Sequence, residues 1–74
     1  MNAIHWNAKK FKFNDRLARL RINKGWTKAE LAAMIHSTSN LIIKYESGET
    51  DPGLARIREF KKIFNCTWNE LLGE

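Results

Sequence analysis

The stretch GWTKAELAAMIHSTSNLIIKYESG, residues 25–48, decides how the rest of the chain is read. Gly25 supplies the left-handed residue that commonly stops a preceding helix. Thr27-Lys28-Ala29-Glu30 is a capping box, in which the threonine side chain and the glutamate three residues on satisfy free backbone amides, so a helix starts at about Lys28. Leu31, Ala32 and Ile35 give it one apolar face, and it is expected to end near His36. Two or three residues further on, Thr38 is the next cap. Ile42 and Tyr45 then mark the apolar stripe of a helix predicted over residues 39–47 and stopped by Gly48. Two short helices across a tight turn result.

Upstream, Phe13, Leu17 and Leu20, with Ala18 and Ile22 as further candidates, recur at helical spacing, which predicts a helix over residues 13–24 capped by Asn14. Downstream, Glu49-Thr50-Asp51 is a polar loop. Asp51 as cap and Pro52 as first helical residue predict a fourth helix over residues 52–64, with Leu54, Ile57, Phe60, Ile63 and Phe64 facing inward. Asn65-Cys66 breaks it, and Thr67-Trp68-Asn69-Glu70 is a second capping box that opens a short fifth helix through Leu71 and Leu72. Five helices and no strand make an all-α domain over residues 13–74. Residues 1–12 form a separate basic and aromatic extension. Lys10 to Phe13 alternate as a strand would, whereas Ile4, Trp6 and Phe11 fit neither period. Two readings stay open there: aromatics packed on the first or fifth helix, or a basic arm.

At 74 residues the chain is near the lower limit for a self-supporting core, so one domain, helped by dimerisation, is expected. No stretch approaches the roughly 20 apolar residues of a membrane span. Met1 to Trp6 lack the apolar run of a signal peptide, and a cytoplasmic, nucleoid-associated location is expected. The net charge of +5 is unevenly spread. Up to Lys28 eight basic residues stand against Asp15 alone, which suits a polyanionic partner, nucleic acid ahead of an anionic membrane surface. The single cysteine, Cys66, has no disulfide partner and reads as a small buried hydrophobe. His5 and His36 lack metal-ligand companions, so neither a metal nor a cofactor is expected. Trp26 and Trp68 read as core or near-core aromatics whose indole N–H groups reach backbone carbonyls, and Met34 is expected to face outward. No histidine, cysteine or carboxylate pair is spaced for catalysis, so an enzyme is not expected.

Taken in order, Arg16-Leu17, Leu20-Arg21, the run from Gly25 to Ala32, Thr38, Ile42, Tyr45-Glu46, Gly48, Pro52, Leu54, Ile57 and the closing Asn65 to Leu72 carry a resemblance. Over residues 13–72 the chain resembles the lambda-repressor-like, Cro-type helix-turn-helix family of phage repressors, antitoxins and bacterial regulators. It departs from the family pattern at five positions. His36 stands where glycine is usual in the turn, with Ser37 after it in place of a small apolar residue; histidine tolerates a left-handed backbone better than a branched residue would. Lys28 replaces a frequent glutamine, and Leu41 and Ile43 replace polar residues in the third helix.

The resemblance implies a sequence-specific regulator of double-stranded DNA, a repressor of phage or mobile-element type that binds a palindromic operator as a homodimer. The third helix would enter the major groove. With Ile42 and Tyr45 turned to the core, Ser39, Asn40, Ile43 and Lys44 would carry the base contacts: Asn40 suits adenine, Lys44 guanine, and Ile43 a thymine methyl. Lys28, Ser37, Thr38 and Ser47 would hold phosphates, and Arg16, Lys9, Lys10 and Lys12 would extend the basic track. Arg21 and Glu46 would form a structural ion pair. The dimer would use the carboxy-terminal region, with Leu71, Leu72 and the loop before the fourth helix as candidates. A rival reading keeps the fold but makes exposed Leu41 and Ile43 a sticky patch for a protein partner such as a toxin, a polymerase subunit or another regulator.

Overall fold

A computed structural model gives the fold, and its description covers residues 13–73. Five helices follow in order: α1 (Phe13–Asn23), α2 (Lys28–Met34), α3 (Ser39–Ser47), α4 (Leu54–Phe64) and α5 (Trp68–Leu72). Among the described residues there is no strand. The architecture is the all-α, five-helix one that the apolar periodicity implied. The expectations that fall on residues 1–12, His5, Lys9, Lys10 and Lys12 among them, lie outside the described residues. None of the described helices is long and apolar enough to cross a membrane.

Each helix start has a local cause. Thr27 accepts a hydrogen bond from the Glu30 amide at 3.0 Å while its own amide donates to the Glu30 carboxylate at 2.7 Å. Thr67 and Glu70 repeat the arrangement at 3.0 and 2.8 Å. Such boxes matter most for α2 and α5, which at seven and five residues are too short to stand alone in water. Asn65, at φ 51°, ends α4 in the left-handed conformation that asparagine tolerates.

All five helices contribute to one core: Phe13 and Leu17 from α1, Leu31 and Ala32 from α2, Ile42 and Tyr45 from α3, Ile57, Phe60 and Phe64 from α4, and Leu71 from α5. Ile35 and Cys66 join from the connections. Phe60 is the centre of a ring cluster. Its centroid lies 5.8 Å from Phe13, 6.0 Å from Tyr45 in an edge-on arrangement, and 6.3 Å from Phe64, which in turn stacks on Trp26 at 5.5 Å. One α4 side chain therefore touches rings from α1 and α3, the two helices whose relative angle matters below.

Several expectations are corrected. Asn14 lies inside the first turn of α1, not ahead of it, and α1 ends at Asn23, one residue before Lys24. Ile22 is exposed because five residues from Leu17 carry it about 140° around the helix from the buried face. Helix α2 stops at Met34, with Ile35 as its cap and His36 already left-handed. Helix α4 starts two residues later than expected: Gly53 is its cap, Asp51 makes no capping bond, and Pro52 is buried in the connection. Leu54, in the first turn of α4, is 53% exposed and does not face the core. Trp68 is 46% exposed. The five-residue α5 has room for one central core contact, which Leu71 fills, and the Trp68 ring lies beside α4 with the Lys61 ammonium 5.2 Å from its centroid.

Two outcomes follow from this core. Phe60→Ala is expected to destabilise the domain by about 3 to 5 kcal/mol, measured by urea unfolding followed by circular dichroism, and Phe60→Leu by much less. Burial pushes the Cys66 thiol pKa up, the nearby Glu70 carboxylate adds to the rise, and Lys61 and Lys24 oppose it. As pH climbs through the ordinary thiol range, the unfolded chain ionises at Cys66 before the folded one does. Stability is therefore lost between the ordinary and the raised value, and Cys66→Ala should abolish that slope in alkaline unfolding curves.

Candidate nucleic-acid interface

The fold presents α2 and α3 packed on each other across a short turn, with α1 packed behind α3. The angle of α3 is fixed at its carboxy-terminal end by Arg21. The Arg21 guanidinium donates from Nε to Glu46 Oε2 at 2.7 Å, from Nη2 to Glu46 Oε1 at 3.2 Å, and from Nη1 to the Trp26 carbonyl at 2.9 Å. The two side chains retain only 13% and 10% of their exposure, so this bidentate pair is largely shielded from water. It joins the last turn of α1, the α1–α2 connection and the last turn of α3.

At the other end of α3, Thr38 caps the helix by accepting from the Leu41 amide at 3.3 Å, which leaves its hydroxyl hydrogen free to donate outward. The turn before it is held by the Ser37 amide on the Ala32 carbonyl at 2.9 Å, with His36 at φ 55°. From α4, Arg56 reaches back to the Ile35 carbonyl at 3.0 Å. This contact had no counterpart in the sequence analysis, because nothing local marks a bond that spans 21 residues.

Along α3, Ile42 and Tyr45 are buried, while Ser39, Asn40 and Ile43 are exposed and Lys44 is half-exposed. The four outward residues stand at i, i+1, i+4 and i+5, a single stripe of the helix. Lys28 opens α2 and is half-buried; Ser37 is half-buried in the turn and Thr38 exposed at its end. Ser47 ends the stripe, but its hydroxyl is engaged locally: it donates to the Lys44 carbonyl at 3.1 Å and accepts from the Glu49 amide at 3.3 Å.

Two sequence-based assignments separate from this surface. Leu41 is not exposed as expected; it packs against the core, so Ile43, at 46% exposure, is the large apolar side chain left open on α3. Three residues after Thr38, Leu41 lies on the flank where α3 meets its neighbours, not on the outer stripe. Arg16 is about 140° around α1 from Arg21 and lines a groove with Arg19, Leu20, Asn23 and Glu70, on the side facing α5. Ser37 and Thr38 thus lie in the connection that leads into the α3 stripe of Ser39, Asn40, Ile43, Lys44 and Ser47, Lys28 stands at the start of α2, and Arg16 lies in a groove on the α5 side. Among the described residues there is no group of three or more histidine, cysteine or acidic side chains that could hold a metal.

The Arg21–Glu46 pair has a measurable signature. Glu46→Ala strands a nearly buried guanidinium and is expected to cost about 3 kcal/mol in urea unfolding. The double substitution Arg21→Met with Glu46→Leu is expected to recover part of that loss, which a double-mutant cycle would read as strong coupling.

A helix-turn-helix family model matches residues 17–71, most of the described chain. The chain is also similar to a protein named HTH-type transcriptional activator BcrR, from Enterococcus faecalis, with 35% identity over 60 residues. That match takes in 81% of this chain but only 29% of the relative's length. No solved structure matches. With the five-helix arrangement and the α2–α3 turn, the match over residues 17–71 shows that the chain belongs to the lambda-repressor/Cro-like family of helix-turn-helix domains.

Proposed function

We propose that the chain binds double-stranded DNA through α3 and regulates transcription. The observation that carries this reading is the outward stripe Ser39, Asn40, Ile43 and Lys44 on a helix whose opposite face is buried and whose carboxy-terminal end is clamped by Arg21. A helix of this diameter fits the major groove, and its outward residues match the groove's chemistry: Asn40 can pair both edges of adenine, Lys44 donates to guanine, and Ile43 packs on a thymine methyl. Lys28, Ser37 and Thr38 flank the stripe as phosphate-binding groups. Thr38 supports this role with a hydroxyl hydrogen its capping bond does not use. From the loop at Ser47, the side chain is a weak donor because its hydrogen is already committed to Lys44. Arg16, Lys9, Lys10 and Lys12 remain candidates for an extended basic track; Arg16 faces away toward α5.

The same reading makes the protein a repressor of phage or mobile-element type that occupies a palindromic operator as a homodimer. Occupation of an operator blocks a promoter by bulk alone and needs no further surface. Exposed Trp68 and Leu54 and half-buried Leu72 support a dimer contact around α5 and the start of α4. Leu71, fully buried in the core, drops out of that contact. A role as a protein-binding module draws less support, since with Leu41 packed against the core the large apolar side chain left exposed on α3 is Ile43.

Fluorescence anisotropy with a random duplex at two salt concentrations tests the first step. Affinity that falls steeply between about 50 and 200 mM salt is expected, and weak binding indifferent to salt would refute the DNA reading. Selection of bound duplexes from a random library then tests the dimer, which requires palindromic sites with half-sites about 34 Å apart. On a selected site, Asn40→Ala and Lys44→Ala are each expected to lose about 1 to 3 kcal/mol of binding while binding to random DNA changes little.

A further inference from the structure

At the end of α2 the turn's own amides satisfy the Ala32 and Ala33 carbonyls but leave the Ile35 carbonyl without a local partner. Its last turn carries no basic residue, Ile35 is 3% exposed, and His36 holds a left-handed φ of 55° without being glycine. Among the described residues no backbone amide of the turn donates to the Ile35 carbonyl. The partner it finds is Arg56, in the first turn of α4, whose Nη1 donates to it at 3.0 Å. The same Nη1 lies 3.2 Å from Glu59 Oε1, one turn along α4, so the carboxylate holds the guanidinium at the height of the turn. Arg56 is only 25% exposed, and its bond to a nearly buried carbonyl is charge-assisted and strongly directional.

We propose that Arg56 is a positioning residue for α3: by pinning the α2–α3 turn onto α4, it sets the amino-terminal end of the groove-facing helix, while Arg21 and Glu46 set the carboxy-terminal end. A nine-residue helix is about 13 Å long, and a helix tied at one end pivots, whereas one tied at both ends has a fixed direction. The two ties are independent in sequence, one running from α1 and the other from α4. Loss of the Arg56 tie releases the end that carries Ser39 and Asn40, and leaves Lys44, one turn nearer the clamp, in place. The inference rests on the DNA-binding reading for its functional consequence but not for its structural one.

Amide hydrogen exchange on the free protein tests the structural part. In Arg56→Met, which keeps the aliphatic stem and removes the donors, the hydrogen-bonded Ser37 and Leu41 amides are expected to exchange about tenfold faster while amides of α1 and the middle of α4 keep their protection. Arg56→Lys, with a donor still in reach, is expected to restore most of the protection and keeps the test readable if the methionine variant folds poorly. On a selected duplex, Arg56→Met is expected to weaken binding about tenfold and to make Asn40→Ala nearly silent, with the effect of Lys44→Ala unchanged. Unaltered exchange at Ser37 and Leu41, or a uniform rise across all helices, would overturn the proposal. So would equal coupling of Arg56 to Asn40 and to Lys44. If the wild-type protein binds no DNA, the proposed function fails by itself, and the exchange pattern alone decides whether Arg56 holds the turn.

Discussion

The guanidinium of Arg21 directs three donors at two other segments, two at Glu46 near the end of α3 and one at the Trp26 carbonyl ahead of α2. Those three bonds convert a bundle of short helices into a frame with a defined angle. Apolar packing by itself is tolerant: cores of the right volume accept many small rotations at little cost. A planar bidentate contact is not, because both N–H groups must meet both oxygens at once. The near-burial of the pair raises the stakes, since a helix that drifted would leave two charges without partners in a poorly hydrated seam.

The aromatic cluster around Phe60 complements this constraint. Phe60 touches rings from α1 and α3 and continues through Phe64 to Trp26, whose carbonyl is the third acceptor of Arg21. Polar and apolar ties thus converge on α3 and on the connection into α2, while on α1 they hold opposite ends, Phe13 at its start and Arg21 in its last turn. Helix α4 lies outside the α2–α3 pair yet governs it from two points, the Phe60 ring in the core and the Arg56 guanidinium at the turn. The strain of a left-handed histidine is tolerated there because the residues on either side are held, Ile35 by burial and by Arg56, Ser37 by the Ala32 carbonyl.

What the sequence made legible was whatever a few neighbouring residues determine. Both capping boxes, the Thr38 cap, the Gly48 stop and the alternation of buried Ile42 and Tyr45 with outward Ser39, Asn40 and Ile43 depend on contacts within a turn or two, and the structure has them where the spacing put them. Features that depend on distant neighbours were not legible. Leu54 and Trp68 read as inward-facing but sit at helix starts and stay about half exposed, and Leu41, read as exposed, packs against the core. The start of α4 was misplaced because Asp51-Pro52 is a good local signal that the chain overrides in order to bury Pro52. Arg56 looked like any surface arginine, since its partner is a backbone carbonyl with no side-chain signature.

The capping boxes at Thr27 and Thr67 have a kinetic consequence. Each marks the first residue of a helix from within four consecutive positions, so the register of α2 and α5 is encoded locally whatever the order in which tertiary contacts form. Nucleation is the slow part of helix formation, and a start signal that costs no long loop closure lowers that barrier. A chain built this way belongs with the helical domains that fold in microseconds to milliseconds. The Arg21–Glu46 bond, by contrast, must close a loop of 25 residues, a cost that the packed helices share by bringing its two ends together.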